Sequence, residues 1–271
     1  MIDLLRYESA IRLGCFFVVL FLMMLWEWRQ PRRSPSLPRI RRWPANLGII
    51  MVDSLVVRLV FPVLAVGVAG LAEAKDWGLF PVLDAPFGLA FVASLLALDL
   101  VIYAQHVLFH KLPLLWRLHR MHHTDLDFDV TTALRFHPLE IVLSMLIKLA
   151  VVMSLGAPAA AVMLFEVILN AAAMFNHGNV RLPERWDRAL RWLVVTPDMH
   201  RVHHSIRPEE TDSNFGFNLP WWDRLFGTYR DQPRDGHAGM TIGLEYFRDR
   251  RATTLAGLLL QPFLNERRPV T

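Results

Sequence analysis

Cysteine is almost absent: Cys15 stands alone among 271 residues. That excludes an intramolecular disulfide, a cysteine-ligated zinc site and an iron–sulfur cluster built from this chain alone. Any metal must therefore be held by nitrogen or oxygen. Two fingerprints are missing as well, a GxGxxG to cradle a dinucleotide and an HExxH to hold a catalytic zinc. No basic stripe interleaved with stacking aromatics is present, so nucleic acid is not an expected partner. Charged residues are scarce, at 20% against 54% hydrophobic, and the mean hydropathy is +0.30. Such a balance does not suit an ordinary soluble domain and points to an integral membrane protein.

Five apolar runs, approximately 10–26, 46–70, 86–108, 139–156 and 158–176, are long enough to cross a bilayer, which takes about 20 residues. No A-x-A-like cleavage signal follows the first, so it reads as a retained anchor. The net charge of +4 and the pI near 9.6 come from arginine rather than lysine. Arg29, Arg32, Arg33, Arg39, Arg41 and Arg42 crowd the connection after the first run. Such a cluster suits anionic headgroups or an acidic partner, and the positive-inside rule places it in the cytoplasm. Alternation then puts 71–85 outside, 109–138 inside, the "GAP" turn at 156–158 outside and the chain after 177 inside. On that topology His106, His110, His119, His122, His123, His137, His177, His200, His203 and His204 all fall at or beyond a cytoplasmic end.

The histidines are patterned. They read His106-x-x-x-His110, His119-x-x-His122-His123 and His200-x-x-His203-His204. With eleven histidines in the chain, one HxxHH is expected by chance roughly 0.02 times, and here there are two. On a helix, residues i, i+3 and i+4 share a face, so each triplet aims three imidazoles one way. With His177 in "FNHGNV" as a ninth, the set exceeds the four to six donors, roughly, that one ion accepts and implies two metals. Carboxylates on the same side could orient a ligand through its second ring nitrogen: Asp125, Asp127, Asp129, Glu140, Asp198 and Asp223. Asp99 lies seven residues before His106, on the same helix face and about 10 Å deeper. It either supports a histidine, lines a substrate path or bonds a neighbouring helix.

These motifs resemble the fatty acid hydroxylase and sterol desaturase superfamily of histidine-box, membrane di-iron oxygenases. The boxes read "HVLFH", "HRMHH", "NHGN" and "HRVHH", and "NFGFNLPWWDRLFGTY" at 214–229 is similar to the family's closing signature. The resemblance covers roughly 86–247. It implies an all-α membrane protein with about four or five transmembrane helices and a cytoplasmic helical cap. His106, His110, His119, His122, His123, His177, His200, His203 and His204 would ligate two iron ions, which zinc can replace in a purified sample. O2 would be the co-substrate. Some members have a second histidine near the third box, where this chain has Ala173 and Arg181. His137 and Asn179 are the residues that could complete the set, and His137 could equally start the helix before Pro138.

The expected activity is hydroxylation or desaturation of an aliphatic C–H of a fatty acyl, sterol or related lipid. Electrons would come from a separate cytochrome b5-like or ferredoxin-like donor, because the chain has no redox fingerprint of its own. The alternative is a metal-ion transporter or sensor, but transporter sites usually sit at the bilayer midplane and these histidines gather at one face. The expected organisation is 1–85, membrane helices with the arginine loop; 86–247, the histidine-box domain; and 248–271, a short amphipathic tail. A surface-lying helix is also expected over 183–195, with Trp186, Leu190, Leu193 and Val194 on one side and Arg185, Arg188 and Arg191 on the other.

Overall fold

The computed structural model describes residues 5–265. Among them every regular element is helical. The elements that build the site are α1 (Glu8–Arg29), α2 (Arg39–Val60), α3 (Ala65–Ala74), α4 (Phe87–Lys111), α5 (Pro113–His123), α6 (Pro138–Leu155), α7 (Ala159–Asn176), α8 (Glu184–Leu190), α9 (Pro197–His203) and α10 (Leu255–Leu260).

Among the described residues, five helical stretches are long and apolar enough to span a membrane, matching the five runs. The second, 39–82, is interrupted. Phe61 precedes Pro62, and a residue before proline is pushed out of the helical region. Phe61 accordingly sits at φ −114°, ψ 104°, and helix resumes only at Ala65.

The bundle is turned inside out relative to a soluble protein. Phe17, Phe21, Met51, Leu59 and Leu89 are each more than half exposed, which in water would be an aggregating surface and in lipid is solvated by acyl chains. Small residues lie inside instead. Ala65, Ala69, Ala157, Ala159 and Ala161 are buried, allowing close helix approach, and Leu98, Ile102, Val152, Val162 and Phe165 fill the core beside them. One buried carboxylate between the helices is paired with two cations, as the low dielectric favours. Lys148 of α6 donates to Glu166 of α7 at 2.8 Å, and Arg12 of α1 meets the other carboxylate oxygen at 2.9 Å.

The two ends of the bundle differ. At one, Glu73 accepts from the Ala159 N–H at 3.2 Å. Gly78 there lies so close to Gly156 that a Cβ would come within 2.1 Å of its nitrogen. At the other end the arginine-rich connection meets the histidine-bearing segments, through Arg32 to Asp198 at 3.0 Å and Arg42 to Asp125 at 2.6 Å.

Two expected surface segments depart from expectation. Helix α8 stops at Leu190 because Arg191, expected on its polar side, turns inward to pair with Asp187 at 2.7 Å and Asp231 at 2.8 Å. Trp186 and Leu193 remain exposed. The tail packs one face inward, Leu258 of α10 being buried against Ala45, Ile49 and Met121, while Leu260 and Phe263 stay exposed. Its terminal carbonyls, which helix geometry leaves without partners, accept from Arg117 at Pro262 (2.7 Å) and from Arg120 at Gln261 (2.6 Å). Residues 266–271 of that expected tail lie outside the described residues. Contacts therefore cross both expected boundaries, at 85/86 and at 247/248.

Candidate metal centre

The local sequence brings four helix ends together. Leu112 precedes Pro113 and is held extended at φ −96°, ψ 119°, so the chain breaks there. The last two turns of α4, with His106 and His110, thus abut α5, whose final turn carries His119, His122 and His123. Helix α9 opens with Thr196 accepting from the Met199 N–H at 3.3 Å and with Pro197 in its first turn. It delivers His200, His203 and, at its C-cap, His204. His177 caps the C-terminus of α7.

All nine histidines expected as ligands converge. His106, His110, His119, His123 and His203 form one group, and His122, His177, His200 and His204 a second; within each, the ligand atoms lie within 4.8 Å of one another.

The hydrogen bonds fix which ring nitrogen is free. Nδ1 donates to a backbone carbonyl in His106 (Phe215, 2.8 Å), His122 (Arg135, 3.1 Å), His177 (Ala173, 2.8 Å) and His203 (Ser213, 2.7 Å). In His119 it donates to the Glu140 carboxylate at 2.6 Å. A carbonyl only accepts, so the proton sits on Nδ1, and in a neutral ring Nε2 is then a bare lone pair. These lone pairs face one another. Nε2 to Nε2 is 3.1 Å for His106–His119 and for His122–His177; His200 Nε2 lies at the same distance from His177 Nε2, with no partner on its Nδ1 to fix its proton. Extra protons do not resolve the repulsion, because burial pushes His177 down to about 4 and His119 down to about 3. Burial, reinforced by the neighbouring rings, takes His122, His123, His200 and His204 well below the ordinary value.

A cation does resolve it. At a metal–nitrogen distance of about 2.1 Å, two ligands at right angles sit ~3.0 Å apart. His123 and His204 also have both ring nitrogens buried without a hydrogen-bond partner, an unfavourable state for a polar group unless an ion takes it up. The residues fit one ion in each group, and an all-imidazole set suits iron, zinc, copper or nickel.

The other expected residues lie elsewhere. His137 belongs to neither group; its Nδ1 accepts from the Leu139 N–H at 3.2 Å as the N-cap of α6, and its Nε2 lies 3.2 Å from the Leu259 carbonyl. Asn179 is occupied with the arginine loop, accepting from the Arg33 N–H at 3.0 Å and donating to the Arg33 carbonyl at 2.8 Å. The three aspartates after His123 also face that loop. Asp125 takes Arg42 in a bidentate pair at 2.6 and 2.7 Å, Asp127 accepts from Ser36 N–H at 2.9 Å, and Asp129 accepts from Arg42 at 2.7 Å. Burial alone would raise the Asp125 carboxyl, but Arg42 and Arg135 outweigh it and hold it below the carboxylate range. Asp198 bonds Arg32 at 3.0 Å as well as Arg201, with His237 Nε2 at 3.6 Å.

Asp99 and Asp223 serve the closing segment. Asp99 accepts from Trp222 Nε1 at 2.8 Å. Asp223, raised to about 6 by burial, accepts from the Phe215 and Gly216 N–H groups at 2.8 Å each. They hold in place the loop whose Phe215 carbonyl orients His106. Of the carboxylates considered from sequence, Glu140 is the one that touches a boxed histidine. Its position at the third residue of α6, in "HPLE", is a helix-start signal that says nothing of His119. Asp212, 3.4 Å from His110 Nδ1, stands in no motif, and the orienting carbonyls carry no side-chain signature at all.

Comparison with known proteins matches residues 91–228 to the fatty acid hydroxylase family. Alkylglycerol monooxygenase from Xenopus tropicalis is 26% identical over 242 residues, which is 86% of this chain and 50% of that protein. The ornithine lipid hydroxylase OlsE from Rhizobium tropici is 29% identical over 157 residues, 58% of this chain and 46% of its own length. The human alkylglycerol monooxygenase is 25% identical over 169 residues, covering 60% and 35% of the two chains. The chain thus spans about half the length, or less, of these relatives. No solved structure matches it.

Proposed function

This chain belongs to the fatty acid hydroxylase family, and on that premise we propose that it is a membrane-bound lipid hydroxylase with a two-iron centre. The observation that carries the reading is the opposition of unprotonated Nε2 atoms at 3.1 Å in each histidine group, His106–His119 in one and His122–His177 in the other. His106, His110, His119, His123 and His203 would hold one iron, and His122, His177, His200 and His204 the other. Irons bound there would supply activation of O2 and insertion of one of its oxygen atoms into an aliphatic C–H, the other leaving as water with two electrons and two protons; zinc would fit the same imidazoles in a purified sample.

The protein's own contribution is orientation and exclusion of water. Carbonyls of Phe215, Arg135, Ala173 and Ser213 set the ring directions. Phe128, Phe136, Phe215 and Phe217 pack their rings against the histidines, which keeps the site dry and lowers its dielectric. Exposed apolar faces of the helices leave a lipid substrate free to approach from the bilayer. Relatives named for alkylglycerols and an ornithine lipid favour a lipid substrate and hydroxylation over desaturation. They also weigh against metal transport, as does the enclosure of the histidines at one end of the bundle. Insertion of one oxygen atom from O2 consumes two electrons. With no flavin, nicotinamide or iron–sulfur fingerprint here, a separate donor, cytochrome b5-like or ferredoxin-like, supplies them. The arginine-rich connection supports a cytoplasmic metal end by the positive-inside rule, with 86–247 as the catalytic unit braced by 1–85 and by the tail.

Iron analysis of the full chain, expressed in iron-replete cells, tests the reading. Two irons per chain are expected, with one lost in His203→Ala and one in His204→Ala. Absence of bound iron in the unsubstituted chain contradicts it.

A further inference from the structure

The two histidine groups differ in what stands behind them. In the four-histidine group the partners of Nδ1 are neutral: the Arg135 carbonyl behind His122 and the Ala173 carbonyl behind His177. His200 Nδ1 and both nitrogens of His204 have no hydrogen-bond partner. The five-histidine group contains the one histidine with a buried carboxylate on its Nδ1, His119 with Glu140 at 2.6 Å. Both side chains are nearly sealed, at 3% and 5% exposure. Glu140 has no basic side chain within ion-pair distance apart from that imidazole among the described contacts, and its second oxygen is buried without a hydrogen bond. It is fixed by its place in the first turn of α6, directly after the His137 cap and Pro138. A carboxylate in that position orients the ring, makes its far nitrogen more basic and offsets cation charge through the imidazole.

We propose that Glu140 is a positioning residue that makes the two metal subsites unequal, so that the five-histidine group holds its ion more tightly than the four-histidine group. This rests on the two-ion reading above. Five donors against four act in the same direction, and among the described residues Glu140 is the only carboxyl group hydrogen-bonded to a boxed imidazole. Exchanging that carboxyl for an amide of the same size, which keeps an acceptor oxygen, therefore weakens one subsite and leaves the other as it was.

The test uses the full chain in detergent, stripped with a chelator and reloaded with Co(II), its binding followed by metal analysis and by the ligand-field bands of the bound ion. The unsubstituted chain is expected to bind two ions in two steps. In a His204→Ala background, where the five-histidine group alone is intact, Glu140→Gln is expected to lower affinity 10- to 100-fold, in the range typical for lost outer carboxylates, and to shift the cobalt bands. In a His123→Ala background, where the four-histidine group alone is intact, Glu140→Gln is expected to change neither. A merely structural role would move both backgrounds alike. Two ions bound with equal affinity, an unchanged constant in the first background, or equal losses in both overturns the proposal while leaving the two-ion reading standing. Failure of the unsubstituted chain to bind any ion overturns that reading, and the proposal with it.

Discussion

Replacing Asp125 by Asn should be far more damaging than the same change two residues later. Asp125 is 1% exposed and sits between two guanidiniums, Arg42 at 2.6 and 2.7 Å and Arg135 at 3.9 Å. It also accepts from Thr132 at 2.8 Å. The amide keeps the shape but not the charge, so two fully buried cations lose their nearest counter-charge. Breaking a buried pair from one side costs about 3–5 kcal/mol, on the order of 10 °C in melting temperature for a chain of this size. The damage should reach the metal site, because Arg135 also donates to the Met121 carbonyl at 3.0 Å and its own carbonyl holds His122. Asp127, by contrast, is partly exposed and bonds loop N–H groups at 2.9 and 3.0 Å, so Asp127→Asn should cost only about 1 kcal/mol. Thermal unfolding in detergent, followed by tryptophan fluorescence with metal content read in parallel, separates the two. Equal shifts for both variants, or an Asp125→Asn protein as stable as the parent, would refute the reasoning.

His137→Ala removes the α6 cap and should lower stability by about 1 kcal/mol yet leave two ions bound; loss of an ion would make His137 a ligand. Gly78→Ala should abolish the folded monodisperse species on size exclusion, since its Cβ has no room against Gly156 and φ is +106°. The metal-free protein should lose stability as pH falls. His177, at about 4 when folded against 6.5 for the free side chain, takes up its proton first in the unfolded chain, so the loss begins near 6.5 and continues to about 4. Bound metal should suppress that dependence over most of the window, as denaturation at stepped pH with and without the ion would show.

The helices and the histidines that converge were legible because both follow from short-range periodicity. Twenty-odd apolar residues make a span, and i, i+3, i+4 histidines make one face wherever the helix goes. What the sequence hid is long-range. Asp125, Asp127 and Asp129 stand next to His123 and look like its support, but extended spacing after the end of α5 turns them toward Arg42 and Ser36, more than eighty residues away in sequence. The carboxylate that reaches His119 comes from the start of α6, and His106 is oriented by a backbone oxygen, which no residue type betrays. The interruption at Phe61–Leu64 was readable from Pro62, whereas the burial of α10 depends on Gly48, against which Leu255 packs at 3.3 Å from the Cβ position.

The most direct test of the central claim is to supply cells carrying the full-length gene with isotopically labelled dioxygen and follow their lipids by mass spectrometry. A lipid that gains one labelled oxygen atom with the unsubstituted chain, and not with His122→Ala or His203→Ala, is the expected result. No labelled lipid, label that persists in both variants, or a lipid that loses two hydrogens without gaining oxygen would contradict it.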